Sequence, residues 1–187
     1  MSATSAPFGL RPAYHPTGLD RAVALANGIT SGYAYNLLKG QPVELSGGVI
    51  VRSDGTDSIQ GAFDGVEFTD TTGRRRISNY WPASTAGSNI VAYFYQDPNI
   101  VYEIQADGSL AQTAIGDEAD ITNPYDGSTT TGLSQCTIST SLAGSGASKV
   151  LRIIDIAPYP GNDWGDNYVI VRVQINKYQY AVGTNGV

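Results

Sequence analysis

The residues able to do chemistry in this chain are few, and their spacing argues against most reactions. The one histidine, His15, sits between Tyr14 and Pro16 in a stretch that also holds Pro7 and Pro12. A Ser–His–Asp or Cys–His site needs its imidazole held rigidly beside a nucleophile, and a proline-punctuated segment is a poor mount. The one cysteine, Cys136, has no second cysteine to pair with; it falls in an alternating run, residues 133–140, and reads as a small buried hydrophobe. Zinc needs several Cys or His ligands, and one of each in unrelated segments does not provide them. Four acids, Asp64, Glu67, Glu103 and Asp155, fall in apolar, strand-like runs. A glycosidase would need two of them roughly 5–9 Å apart across a cleft, and nothing in the spacing places them so; outward-facing or turn-capping acids are the expectation. Residues 53–57, 117–120 and 162–166 offer oxygens to a hard cation, but none has EF-hand spacing, and Asp/Asn-rich loops are ordinary turn formers. The glycines have no phosphate-loop form. No catalytic residue, no cofactor and no metal ligand is expected.

The elements that would have to position any site are strands. The best-specified stretch is NIVAYFYQDPNIVYEIQADG, residues 89–108. Two runs of Ile, Val, Tyr and Phe, types that suit a pleated half-buried surface, flank Gln96-Asp97-Pro98-Asn99. This predicts a β-hairpin, or two strands bent around a corner. Residues 168–180 alternate most clearly, with Val169, Val171, Val173 and Ile175 on one side. Residues 149–157 read as a central strand, and 33–38, 43–45, 49–52, 59–68, 74–81 and 133–140 as further strands, with Gly61 and Gly65 marking bulges or close backbone approach. Residues 19–29 have room for one short helical turn, and the tail 181–187 reads as polar and loose. The expected fold is all-β: a single β-barrel or β-sandwich domain of short strands, with an extended N-terminal arm and little helix. The arm is residues 1–18 and the β-rich domain residues 19–187.

Composition narrows the function classes. Hydrophobic residues make up 41% of the 187, enough for a core, while charged residues are only 15%, against roughly 25% in an average globular protein. The surface must then be dominated by Ser, Thr, Asn, Gln, Gly and Tyr, which suits burial against other protein or exposure outside a cell. A net charge of −6 argues against binding a nucleic-acid backbone. The only basic cluster, Arg74-Arg75-Arg76, reads as a solvated strand start after the turn at 70–73. No run approaches the roughly 18 apolar residues of a membrane-spanning helix, and no secretory leader is readable, so a soluble protein is expected.

What remains is aromatic. Twelve Tyr and two Trp crowd the loops and strand faces, and such rings concentrate in interfaces and sugar-stacking platforms. In the N-terminal stretch Phe8, Leu10, Arg11, Pro12 and Tyr14 are an unusual set for a solvated tail, and two readings compete. One is a disordered leader; the other, preferred, is an arm that orders against a neighbour, its prolines reducing the entropy lost, and whose removal leaves the domain folded. Tyr125, Tyr159 and Trp164, in loops, complete the set of candidate partner-contact residues.

PFGLRP at residues 7–12, GQPVEL, IQGAFDGVEF, NYWPAS, the block DP-x-x-V-Y-x-I-Q-A-D-G ending at Gly108, IGDEADI and RIIDI occur in an order that resembles head decoration, or cement, proteins of tailed bacteriophages. The resemblance covers residues 8–180. It implies a structural virion protein, made in the host cytoplasm, that binds the outer surface of an assembled capsid. It also implies a homotrimer, with the major capsid protein as partner, stabilising contacts between capsid subunits. No enzymatic activity, nucleic acid or membrane comes with it. The alternative kept beside it is a virion-surface module binding a carbohydrate or receptor through the exposed aromatics.

Overall fold

The computed structural model describes residues 4–18 and 21–180. Fifteen strands are described: β1 (Arg11–Tyr14), β2 (Val23–Ala26), β3 (Pro42–Ser46), β4 (Val49–Arg52), β5 (Gly61–Thr69), β6 (Arg75–Ser78), β7 (Ser88–Tyr95), β8 (Val101–Gln105), β9 (Glu118–Ala119), β10 (Ile121–Thr122), β11 (Gly127–Ser128), β12 (Leu133–Ser134), β13 (Thr137–Ile138), β14 (Leu151–Ile156) and β15 (Ile170–Ile175). A single 3-10 turn, Gln112–Ala114, is the one helical element among the described residues. The chain is all-β. A five-stranded antiparallel sheet has the order β1-β8-β15-β14-β9, and a six-stranded one the order β2-β7-β5-β3-β4, with β6 paired to the later part of β5. Two short ribbons, β10 with β13 and β11 with β12, complete the set. Neither large sheet closes into a barrel, so of the two expected architectures the sandwich fits.

Side-chain period explains the layers. Val171, Val173 and Ile175 of β15 are 0, 0 and 6% exposed, while Ile170, Arg172 and Gln174 between them stay half-buried on the other face. With Leu10, Tyr102, Ile104, Leu151 and Ile153 they form one core under the five-stranded sheet. A second core under the six-stranded sheet gathers Leu37, Ile50, Phe63, Phe68, Trp81 and Phe94. Strand β5 joins the two, because Ala62 belongs to the first core and its neighbour Phe63 to the second. Its register with β7 shifts between Phe63 and Gly65, as the glycines at 61 and 65 suggest.

Residues 89–108 are not a hairpin. Strand β7 pairs with β2 and β5, whereas β8 pairs with β1 and β15, so the chain turns a corner from one sheet into the other. Asp97 makes that corner: its Oδ1 accepts from the Asn99 amide at 2.8 Å. Residues 33–38 are not a strand either. They are bends leading to an isolated bridge between Leu37 and Trp81. Within 19–29 the expected helical turn is replaced by β2; residues 19–20, like the tail 181–187, lie outside the described residues.

The extended N-terminal stretch is built into the sheet. Residues 11–14 are an edge strand of the five-stranded sheet, and Leu10 is fully buried in its core. Residues 4–6 are gripped by Gln105, whose Oε1 accepts from the Ala6 amide at 2.8 Å and whose Nε2 donates to the Thr4 carbonyl at 3.1 Å. The prolines exclude helix but are compatible with an edge strand, where a missing N–H faces outward at no cost.

Candidate interaction surface

The N-terminal strand brings several candidate residues together over β8. Arg11 lies opposite Glu103, Pro12 opposite Tyr102 and Tyr14 opposite Val101. Glu103, only 4% exposed, is the hub. Its Oε2 accepts from Arg11 Nη2 at 2.8 Å and from the Tyr159 hydroxyl at 2.5 Å. Arg172 Nε, on the neighbouring strand β15, stands 3.6 Å from Oε1. Two guanidinium groups therefore share one buried carboxylate, and Asp155 of β14 lies opposite Arg172 in the strand register. Aromatic rings cover the cluster: Phe8 lies 4.3 Å and Tyr159 5.8 Å from the Arg11 guanidinium, and Tyr14 lies 5.3 Å from that of Arg172. Such contacts favour the cation wherever water is partly excluded. The hydrogen bond to Glu103, then burial, pushes the Tyr159 phenol above its ordinary value.

Beside this cluster is a cleft of about 180 Å³, lined by Phe8, Leu10, Pro12, Phe63, Tyr95 and Leu133. The ion pair of Lys39 Nζ with Asp64 Oδ1, 2.7 Å, borders it. Leu133, Tyr14 and Tyr159 are each about 40% exposed. The result is an apolar depression next to an aromatic-capped charge cluster, a combination suited to gripping protein.

Of the eight residues expected to contact a partner, Phe8, Arg11, Pro12, Tyr14 and Tyr159 gather here. Leu10 is a core residue that lines the floor of the cleft. Trp164 is half-buried and packs on the core under the five-stranded sheet. Tyr125 stands elsewhere, 46% exposed, with its ring 4.0 Å from the Arg52 guanidinium. Arg172, Arg52 and Tyr35 are absent from the sequence-derived candidates, and Glu103 figures there only as a strand acid expected to face outward, whereas it is buried. For Glu103 and Arg172 the signal was a charge in the outward register of an apolar strand, which becomes meaningful only when β8 and β15 are known to be neighbours.

The remaining reactive groups are occupied structurally. His15 is 9% exposed; its Nδ1 accepts from the Thr17 amide at 3.0 Å and its Nε2 lies 3.3 Å from Asp97 Oδ2, tying the first strand to the corner. Cys136 is fully buried, and burial pushes its thiol up to about 11. Asp64 pairs with Lys39, Glu67 with Arg75 and the Tyr93 hydroxyl, and Asp155 accepts from the Ile156 amide. Asp54 Oδ1 closes its own turn on Thr56, and Asn162 holds both the Ala157 and Ile170 carbonyls at 2.8 Å. Arg75 and Arg76 are bound to Glu67 and Asp70. No group of three or more His, Cys, Asp or Glu arranged to hold a metal ion occurs among the described residues, and none of their helices is long and apolar enough to cross a membrane.

Glu118 is the most deeply placed acid. Its carboxylate is fully buried and accepts from Arg152 Nη2 at 2.7 Å and from the Gly146 and Lys149 amides at 2.9 and 3.2 Å. The Arg152 hydrogen bond leads in lowering its pKa from 4.5 to about 2. A depressed carboxylate pKa adds stability that is complete above the unfolded value and lost as pH falls toward the folded one. Urea unfolding of the wild-type chain is therefore expected to weaken between pH 4.5 and about 2, and of Glu118→Gln to weaken less over that window. At neutral pH the variant is expected to be about 1–2 kcal/mol less stable; solvent around the Arg152 end, 42% exposed, limits the loss. An equal pH slope in both proteins would refute this account.

Comparison with protein-family models, with curated proteins and with solved structures finds no match to this chain.

Proposed function

We propose that this chain is a structural virion protein that docks on the outer surface of an assembled phage capsid and stabilises contacts between capsid subunits, acting as a trimer and without catalysis. The observation that supports it is the surface built by residues 8–14: Arg11, Glu103 and Arg172 under the rings of Phe8, Tyr14 and Tyr159, beside an apolar cleft. Tyr and Arg, here gathered around a buried carboxylate, are residue types that carry binding energy in protein interfaces. The sequence resemblance to decoration proteins names the partner, the major capsid protein. Many copies on one capsid would turn a modest contact into firm attachment.

The test mixes the purified chain with capsids from a phage that encodes it, assembled without it. Extra density on the outer surface and a higher capsid melting temperature are expected. A Phe8→Ala/Tyr159→Ala double variant is expected to lower occupancy at least about tenfold while melting as a cooperative fold. Bare capsids with unchanged heat stability would end the proposal.

A second reading, a carbohydrate-binding module, has one observation behind it. A polar depression of about 450 Å³ is lined by Asn123, Asp126, Gln135 and Tyr168, and Tyr168 has a left-handed φ of 58°, unusual for a bulky residue. Glycan-array binding together with bare capsids would put that reading in place of the first.

A further inference from the structure

A second cation lies apart from the β1 surface and is built differently. Arg52 ends β4, and its guanidinium carbon lies 3.5 Å from the Tyr35 ring centre and 4.0 Å from that of Tyr125. Two rings thus lie against the one guanidinium, and each is 46% exposed. The clamp is held from behind. Tyr33 packs edge-on to Tyr35 at 5.7 Å, and its hydroxyl accepts from the Arg52 amide at 3.1 Å. The buried Gln41 donates to the Pro124 carbonyl at 3.0 Å, which fixes the loop carrying Tyr125.

What the clamp lacks is a carboxylate. Arg11, Lys39, Arg75, Arg76, Lys149, Arg152, Arg172 and Lys177 each have one within ion-pair distance. Arg52, like Arg21 and Arg74, has none among the described residues, and of those three it is the one set against aromatic rings; no described acceptor takes a hydrogen bond from its side chain. Its N–H fork is left without an acceptor among the described residues, and that planar fork matches the two oxygens of a carboxylate. A nucleic-acid backbone would want a field of positive charge, and the chain carries −6.

We infer that Tyr35, Arg52 and Tyr125 form a preformed receptor for an Asp or Glu side chain presented by the capsid surface. The inference rests on the docking reading above and adds to it a second anchor point and the chemistry of the group it grips. Fixing the guanidinium in advance reduces the entropy lost when the partner arrives.

The experiment measures affinity of the full-length chain for undecorated capsids, with two perturbations. Arg52→Lys keeps the charge between the rings and removes the fork; about tenfold weaker binding is expected, with an unchanged melting temperature. Amidating the capsid's surface carboxylates with carbodiimide and methylamine, on capsids seen to remain intact, is expected to weaken the wild-type chain at least as much, and Arg52→Lys much less than the wild type. If Arg52→Lys does not fold, Tyr125→Ala, which strips one ring from the guanidinium, replaces it in both arms, with the same smaller response to amidation expected. Wild-type binding that survives both perturbations would overturn the carboxylate receptor and leave the docking reading standing. A wild-type chain that ignores capsids altogether would remove both.

Discussion

Gly61→Ala is expected to destabilise the chain by about 3 kcal/mol or more, one of the two largest effects foreseen. Gly61 opens β5 where that strand leaves β3 and begins to pair with β7. A Cβ there would stand 1.6 Å from the Tyr95 carbonyl oxygen and 2.7 Å from its carbon. The obstacle is backbone, so no rotamer change relieves it. Either the Ala62–Tyr95 pairing opens or β5 shifts, and both cores lose their junction at Ala62 and Phe63. Urea unfolding measures the loss. Gly73→Ala is the control: its φ is also positive, 81°, but nothing lies within 4 Å of the added carbon, so about 1 kcal/mol is expected. Equal losses in the two variants would show that conformation, not close approach, governs position 61.

Deletion of residues 2–14 is expected to do more than detach an arm. It removes β1 and leaves the outer edge of β8 unpaired. It empties the fully buried site of Leu10, whose loss alone is worth about 2–5 kcal/mol. It also takes Arg11 from Glu103, a carboxylate with little access to water. Together these are comparable with the whole stability of an ordinary domain. The truncated chain is expected to melt roughly 10 °C or more below the full chain, or without a cooperative transition. A sharp transition within about 2 °C of the full chain would restore the view of these residues as a separable arm. For the same reason the proposed docking role is better probed by point changes such as those at Phe8, Tyr159 and Arg52, which leave the sheet edge in place.

The polar contacts divide in two by what holds them. Glu118, His15 and Asn162 tie loops to strands within the chain and act on stability. The rings over Arg11 and Arg172 and the pair around Arg52 leave aromatic area that no described residue covers. Exposed large rings beside fixed cations lose water gladly to a partner. That asymmetry supports recognition as the task of this molecule.

The β character was legible from the chain alone because it rests on local rules. Alternation at 169–175 is a period-two burial pattern written residue by residue, and Val171, Val173 and Ile175 face the core as that pattern requires. The glycine at 61, the turn at Asp97–Asn99 and the buried Cys136 follow equally from local conformation and residue type. The partners of each strand were not legible, because pairing is a contest among all edges of the molecule. β7 and β8, adjacent in sequence, look like a hairpin, yet each finds more apolar surface to bury in a different sheet. Residues 11–14 look like an arm, since two prolines flank and interrupt them, and only the unpaired edge of β8 makes them a strand. Both charge clusters follow from those long-range choices. Arg11, Glu103, Tyr159 and Arg172 meet because β1, β8 and β15 lie side by side, and Tyr35, Arg52 and Tyr125 because two loops converge on the end of β4. Residue types declared a chain rich in aromatic side chains and poor in charge; tertiary pairing alone decided which of those rings and charges stand together.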